Sequence, residues 1–572
     1  VLGVFHGGAH LQVLDHVLGT DADDVETVKK LAAALIEVGL AEAMPYLHLR
    51  LDPALPGYLL GQMSAAEQKQ ARSRWAECMR GLTTFLYRQR FQDTQLAHQL
   101  ALLELPNLLA MLVWAQGALT PEEVVDLAGS LESLPARLGR PQALAQATRA
   151  HEQAAQRLGA WSHAQFESLR QGIERMSEQG RLPEAHADAE QLLQRALAAG
   201  EAAYDIALAH WLFGRVLKRI GAAEAALPPL REAQQRFQAL VDAGNVIAEH
   251  MAPAAITEAA DCLRYLGRYD EAAAAYEEGI QRFEKLDDQR WAAIASGQLG
   301  TVRLLQKRYG EALESYREAL RIFESLGEPS TVAVYWHQIG VAHRKAGQFE
   351  QAEQSYRQSL AISVQQQNRA HEASSMNELG SLYGQIGWLE EATTFYRQAA
   401  DIDAQLQDKR NEGLVRNNLA NTLIKLQRYD EARRELHRAI ECKQPFGHVA
   451  ELWKTWGILH NLEQATGNAQ AAEAARGQAI ASYLAYRRAG GESQSDQAQL
   501  FDLVFQAIQQ GATTEAEQYL DEWLKEDYPL WLKTLVAGLR AILRDNRDPA
   551  LAADPNLSFD NAVELQLLLE KL

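Results

Sequence analysis

One spacing limits what this chain can fold into. The segment Gly267-Arg268-Tyr269-Asp270-Glu271-Ala272 returns in altered form, and its closing alanine recurs at Ala312, Ala352, Ala392, Ala432 and Ala472, each step being 40 residues. Two looser copies close at Ala185 and Ala226. A fixed period of this length marks stacked supersecondary units, none of which can bury its apolar face alone. At 572 residues the chain is in any case too long for one core.

Other positions keep step with the alanines. Twelve residues before them stand Gly214, Ala260, Gly300, Gly340, Gly380 and Ala420, with His460 as the exception. Four residues after them come Tyr276, Tyr316, Tyr356 and Tyr396, and three further on Gly279, Ala319, Ser359, Ala399, Ala439 and Ala479. These offsets keep helical phase, so each unit reads as two antiparallel helices brought close by small residues, with the tyrosine filling the wedge between successive hairpins. Gly267, Gly347, Gly387 and Gly467 are placed to close the first helix in the left-handed conformation. Acidic residues such as Glu271, Glu311, Glu391 and Glu431 then sit at the next helix N-terminus, where the dipole favours them.

This pattern of small residue, alanine, aromatic and alanine resembles the tetratricopeptide repeat, in a lengthened unit like that of kinesin light chain arrays. The resemblance implies an all-α tetratricopeptide-repeat superhelix of about eight helical hairpins over 161–490. A helical connector is expected at 63–160. After the polar stretch Gly490-Gly491-Glu492-Ser493, expected to be a flexible break, a C-terminal helical cap is expected over 491–572.

Residues 1–62 follow a different pattern. Leu11, Leu14, Val17 and Leu18 mark one amphipathic helix, and Val25, Val28, Leu31, Leu35 and Val38 another, with Asp23 and Glu26 as a capping box and Gly39 as the stop. Leu47, Leu49 and Leu51 alternate with His48, Arg50 and Asp52, a strand ended by Pro53. Helices followed by a short wing suggest a winged helix. The opening Leu2-Gly3-Val4-Phe5-His6-Gly7-Gly8-Ala9 resembles the Leu-x-Val-Phe-x-Gly-Gly start of the winged-helix domain in bacterial signal-transduction NTPases of the STAND class. Leu51-Asp52-Pro53-Ala54-Leu55 aligns with that family's Leu-His-Pro-Leu-Leu segment, whose histidine senses bound ADP; Asp52 stands in its place, with His48 upstream on the strand. The resemblance implies that the chain, which opens at Val1 in mid-motif, is the C-terminal part of a longer protein.

Chemistry leaves little trace. No Gly-rich loop ending in Gly-Lys-Ser or Gly-Lys-Thr occurs, so a phosphate-binding NTPase core is absent from these residues. His6 and His10 could share a helix face but have no third metal ligand at sensible spacing, and His6-Gly7-Gly8 lacks the Gly-x-Ser-x-Gly elbow that an esterase needs. Cys78, Cys262 and Cys442 have no zinc or redox spacing and read as small buried apolar residues. The tryptophans Trp211, Trp291, Trp336, Trp388, Trp453 and Trp456 fall in repeat helices and turns, mostly as core, and the charge-rich stretch 433–438 reads as a solvated helix face. The expectation is a non-enzyme with no cofactor and no metal. Net charge −19 disfavours nucleic acid and anionic membranes, and with no apolar run near ~20 residues the expected place is the cytoplasm.

A repeat array binds with its first helices. Counting around the small residues projects Thr257, Asp261 and Arg264, then Thr301 and Leu304, then His337 and Arg344, onto the concave groove. Asn377 and Ser381, then Asn417, Asn421 and Lys425, then Lys454 and Asn461 continue the row. The asparagines can bond a peptide backbone, and Arg344, Lys425 and Lys454 can receive carboxylates. The expected partner is a protein or peptide, with NTPase and effector domains upstream in the same protein. A freestanding adaptor and a winged-helix transcription regulator are the alternatives, the first disfavoured by Phe5-His6-Gly7-Gly8 and the second by the acidic balance.

Overall fold

The computed structural model describes every residue except 19–24, 93, 138–139, 160, 201 and 524–527. The chain divides into two units, Val1–Asp287 and Asp288–Leu572. The capping box expected at Asp23 and Glu26 lies outside the described residues.

The first unit opens with strand β1 (Gly8–His10), helices α1 (Leu11–Leu18) and α2 (Val25–Glu37), and the hairpin β2 (Ala41–Met44) and β3 (His48–Leu51). The antiparallel sheet has the order β1-β3-β2, with Ala9 opposite Leu49 and Ala43 opposite Leu49 on the other side. Gly39 closes α2 with φ +74°. The expected strand is shorter by one residue at each end than the alternation over 47–52 suggests. Tyr46 and Leu47 both take positive φ to turn the hairpin, which leaves Leu47 exposed, while His48 turns inward and is buried. His10 ends β1 and His6 lies in the bend before it, so the two do not share a helix face.

Four helices follow, α3 (Ala54–Gly61), α4 (Ala65–Gln92), α5 (Thr94–Ala118) and α6 (Pro121–Arg137), and then α7 (Pro141–Ala155). They share one core with the sheet, built on Phe5, Leu14, Leu49, Trp75, Met79, Leu108, Met111 and Val125. Within α5, Leu96–Ala118 is long and apolar enough to cross a membrane by length and composition, which corrects the expectation that no such segment exists. Its apolar residues are broken by Glu104, Pro106 and Asn107, so no uninterrupted run shows it. Leu100, Leu108, Met111 and Leu112 are buried in the core of this unit.

Three hairpins complete the first unit: α8 (His163–Glu178) with α9 (Leu182–Ala199), α10 (Ala203–Arg219) with α11 (Ala223–Asp242), and α12 (Val246–Tyr265) with α13 (Tyr269–Lys285). The second unit holds five more. These are α14 (Gln289–Leu305) with α15 (Tyr309–Ser325), α16 (Pro329–Lys345) with α17 (Phe349–Gln365), α18 (Arg369–Ile386) with α19 (Leu389–Gln405), α20 (Lys409–Lys425) with α21 (Tyr429–Lys443), and α22 (Leu452–Ala465) with α23 (Ala469–Arg488). Helices α24 (Ala498–Gln510), α25 (Thr513–Trp523), α26 (Leu530–Leu543) and α27 (Phe559–Lys571) end the chain.

The repeated positions pack inside each hairpin. Ala272, Ala312, Ala352, Ala392 and Ala432 are fully buried. A Cβ on Gly300, Gly340 or Gly380 would stand 2.8, 2.6 and 2.8 Å from the ring of Tyr316, Tyr356 and Tyr396. The tyrosine therefore lies on the glycine of its own hairpin; the expected wedge between hairpins is only its outer edge, as where Tyr316 meets Tyr335 at 6.5 Å between ring centres. His460 is tolerated because the residue four after its alanine, where other repeats hold tyrosine, is Arg476, which turns away to the carbonyls of Asp554 and Leu557, and His460 Nδ1 reaches Ala472 O at 2.8 Å.

The end of the array is covered. Phe559 of α27 lies against Gly457 and Tyr483, and Tyr483 donates to Glu564 at 2.8 Å. The segment after Gly490 is tied down and does not form the expected break: Ser493 donates to Glu564 (2.8 Å), Gln494 N–H to Tyr483 (2.7 Å) and Ser495 to Asn561 (2.7 Å). Of the six repeat tryptophans only Trp453 is fully buried, while Trp291 and Trp388 are exposed at helix starts. In the charge-rich stretch, Arg433 and Arg438 bond Glu463 and Glu412, carboxylates of neighbouring first helices, so that face is partly an inter-helix seam. Cys262 and Cys442 are buried, which pushes both thiols up to about 11; Cys78 is half-buried.

Candidate functional site

The residues projected from the sequence fall into two groups, divided by the tyrosine of their hairpin. A buried phenol needs a hydrogen-bond partner. Tyr276 donates to Asp261 at 2.5 Å and Tyr316 to Thr301 at 3.1 Å, while Tyr396 bonds Ser381; each partner stands 15 residues before its tyrosine. In the α16–α17 hairpin that place is Val341, and Arg344 with Glu378 takes over: Arg344 lies 3.3 Å from the Tyr356 oxygen and 3.2 Å from Glu378. Asp261 also receives Lys218 (2.7 Å), and Arg264 lies over the Tyr265 ring. Thr257 bonds its own helix at Ala254 O and packs on Gly279. Half of the projected row is thus engaged inside the fold.

Three more projected residues bridge adjacent first helices. His337 is half-buried against Tyr356 and His371, and the loss of water around it, with His371 and Arg344 nearby, holds its imidazole down at about 4. Asn377 accepts from Asn418 at 3.2 Å, and Asn417, itself buried, donates to Thr455 at 2.9 Å. Lys454 pairs with Glu451 at 2.8 Å. Asn421, Lys425 and Asn461 remain exposed with no partner among the described residues. The reason is visible in the period: Leu436 and Arg476 replace the tyrosine that would claim Asn421 and Asn461.

The outer ridge of the first helices runs one position away from the projected row. In the second unit it carries Val334 and Leu414, both exposed, and the half-buried amides Gln298 and Gln338, none of which was projected. Their signal was available, since 298 and 338 are one period apart.

Each unit has a cleft on its first helices. In the first, about 490 Å³ is lined by Glu174, Arg215, Lys218, Arg219, Glu258 and Tyr265. Its cations are largely compensated: Arg215 lies 3.2 Å from Glu258 and 3.7 Å from Glu174, and Lys218 bonds both Glu258 and Asp261. In the second, about 360 Å³ between α14 and α16 is lined by uncharged groups, among them Gln298, Thr301, Val334, Tyr335, Gln338 and Asn368.

Comparison with known proteins agrees with the period. Residues 252–325 and 331–405 match one model of the tetratricopeptide repeat, and 414–444 match another. No curated protein matches. Among solved structures, the chain is similar to the STAND protein with a tetratricopeptide repeat sensor from Pyrococcus horikoshii, at 15% identity and TM-score 0.44, over 84% of this chain and 61% of that one. It is similar to the apo quorum sensor NprR from B. thuringiensis (15%, TM-score 0.44, 63% of this chain and 98% of that one). BtubC from P. vanneervenii aligns at 21% identity with TM-score 0.36, over 39% of this chain and 92% of that one. Residues 252–325, 331–405 and 414–444 are tetratricopeptide repeats, and the fold around them is an all-α array of helical hairpins.

Proposed function

We propose that this chain is the ligand-sensing repeat region of a STAND-type signalling NTPase: its first helices recognise a protein or peptide, and an N-terminal winged helix relays occupancy to a nucleotide-binding domain. The repeats serve as a binding scaffold and perform no catalysis. The observation that carries the reading is how the Phe-His-Gly-Gly opening is built in. Two helices between β1 and the β2–β3 hairpin, with sheet order β1-β3-β2, support the winged-helix reading. β1 is an edge strand, and its outward backbone groups are met by side chains of α5 where a fourth strand would be. Asn107 Oδ1 accepts from His6 N–H at 2.7 Å, Asn107 Nδ2 donates to Gly8 O at 2.9 Å, and Glu104 accepts from His10 N–H at 3.1 Å. Glu104 and Asn107 are fully buried, and Glu104 lies 3.3 Å from His48. Gly8 is required because the His48 ring occupies the space of a Cβ. The motif thereby fastens the small domain to the helical connector, as a relay requires. Asp52, at the family's nucleotide-sensing position, accepts from Ala54 N–H at 2.9 Å and starts α3.

The test is the reading frame that contains Val1, followed by nucleotide hydrolysis of its full product. An in-frame Gly-x-x-x-x-Gly-Lys-Ser/Thr loop upstream, with hydrolysis altered by a repeat ligand, is the expected result. A frame encoding no NTPase would overturn the STAND assignment and leave a freestanding adaptor.

A further inference from the structure

One repeated position explains why the second unit has an open cleft, and why it lies where it does. Positions 297, 337, 377, 417 and 457 are equivalent first-helix sites and hold Gly, His, Asn, Asn and Gly. The three larger residues fill their place: His337 against Tyr356 and His371, Asn377 on Asn418, and Asn417 on Thr455. At Gly457 the place is filled by Phe559. At Gly297 the Tyr335 ring comes in, and a side chain on residue 297 would collide with it. Above that ring the space stays open as the cleft of about 360 Å³, a size at the lower end of small-ligand sites, roughly 300–1,000 Å³.

Its lining is uncharged in a chain of net charge −19. Gln298 and Gln338 line it, both half-buried, and have no hydrogen-bond partner among the described residues. Asn368 uses its side-chain oxygen to cap His371 N–H at 3.2 Å, which leaves its amide hydrogens to donate. Val334 adds an exposed aliphatic surface. Beside the lining residue Thr331, the ions Arg290 and Glu328 are spent on each other at 2.7 Å. A carboxylate or ammonium entering here would lose water and find no counter-charge, whereas a carboxamide pair can both donate to and accept from a peptide unit.

Resting on peptide recognition as proposed above, we infer that the cleft between α14 and α16 reads an uncharged, aliphatic-containing stretch of extended peptide, gripped at its backbone by Gln298 and Gln338. This differs from the sequence expectation of carboxylate selection, because Arg344 and Lys454 are already paired.

The experiment pans the intact chain against a phage-displayed library of random peptides of about twelve residues, the length of an extended recognition segment, and measures a labelled copy of the enriched sequence by fluorescence anisotropy. The expected winners lack Asp, Glu, Lys and Arg across their shared core, and their affinity changes less than about twofold with added salt. Gln298→Glu with Gln338→Glu weakens binding by about tenfold or more while thermal unfolding is unchanged, and Lys425→Ala binds like the parent. Acidic winners that ignore the glutamine pair and fail on Lys425→Ala would overturn this inference and leave peptide sensing standing. Enrichment of no sequence over a scrambled control would overturn both.

Discussion

Two joints in the second unit occupy the same place in the 40-residue period and differ in chemistry. Where α15 meets α16, Phe323 is fully buried and stacks on Tyr335 at 5.4 Å between ring centres. Three periods later, where α21 meets α22, Lys443 occupies the place of Phe323 and touches Thr455, the equivalent of Tyr335, at 3.2 Å. The full series at this position is Phe283, Phe323, Ser363, Asp403, Lys443 and Tyr483, and every member is buried. A repeat backbone thus accepts a ring, a hydroxyl, a carboxyl or an ammonium at one buried site. The period fixes geometry, and the residue at the joint sets the local stability and its pH dependence, because a repeat array is approximately a sum of nearest-neighbour terms.

The largest effect tests the aromatic joint. Phe323→Ala removes a fully buried ring from between two helices and is expected to cost about 3–5 kcal/mol, read from the denaturant midpoint of the intact chain and from faster amide exchange in α15 and α16. A loss below about 1 kcal/mol would show that helix stacking alone carries the joint.

At the other joint the sign reverses. Burial lowers the Lys443 ammonium to about 8 from 10.5, against the field of Glu451 and with that of Lys454. The unfolded chain holds this proton more tightly, so the penalty is complete below pH 8 and fades as pH rises from 8 toward 10.5. Lys443→Met should therefore stabilise the chain at pH 7, by about 1–2 kcal/mol after allowance for the solvent that reaches the group, and remove that alkaline rise. A destabilised variant would mean that the bond to Thr455 outweighs the burial of charge.

Asp403 gives the acidic counterpart. Burial, with Asp408 and Glu412 nearby, raises its carboxyl from 3.8 to about 6. Here the folded chain holds the proton more tightly, so stability falls as pH rises from 3.8 through 6 and stays reduced above. Asp403→Asn should raise stability at pH 7 by about 1 kcal/mol and flatten the profile between pH 4 and 6, measured by chemical denaturation across that range.

These joints show what was legible. The hairpins followed from Gly300, Gly340 and Gly380 with their tyrosines, because close approach of two helices leaves a small residue at a fixed offset. Gly267, Gly347, Gly387 and Gly467 do take positive φ, and where the period puts Lys307 and Gln427 the same conformation is held without glycine. The binding row was harder, because a polar residue on a first helix looks the same whether it faces a ligand or a buried phenol. Asp261, Thr301 and Ser381 answer tyrosines of their own hairpins, and only the offset of 15 residues separates them from Asn421 and Asn461. The clamp of Glu104 and Asn107 on β1 joins segments about a hundred residues apart, and no period points to it.

The smaller of the two losses is expected at the hydroxyl joint, and it decides how general the comparison is. Ser363 is buried, bonds Ser359 O at 2.8 Å and lies 2.8 Å from His371 Nδ1, beside the Ser359–Ser375 contact at 3.1 Å. Ser363→Ala removes one hydroxyl, leaves the volume nearly intact, and deprives His371 of a partner. The carbonyl of Ser359 keeps its place in the helix ladder, and His371 is only half-buried, so water can replace the lost bond. The expected cost is about 0.5–1.5 kcal/mol, seen as a small midpoint shift with unchanged slope. A loss equal to that of Phe323→Ala would mean that the polar joint is as tightly built as the aromatic one, and that stability along the array follows geometry alone. A loss confined to the expected range, with amide exchange quickened in α17 and α18 and not in α14, would place the soft joints of this array where the aromatic residues end.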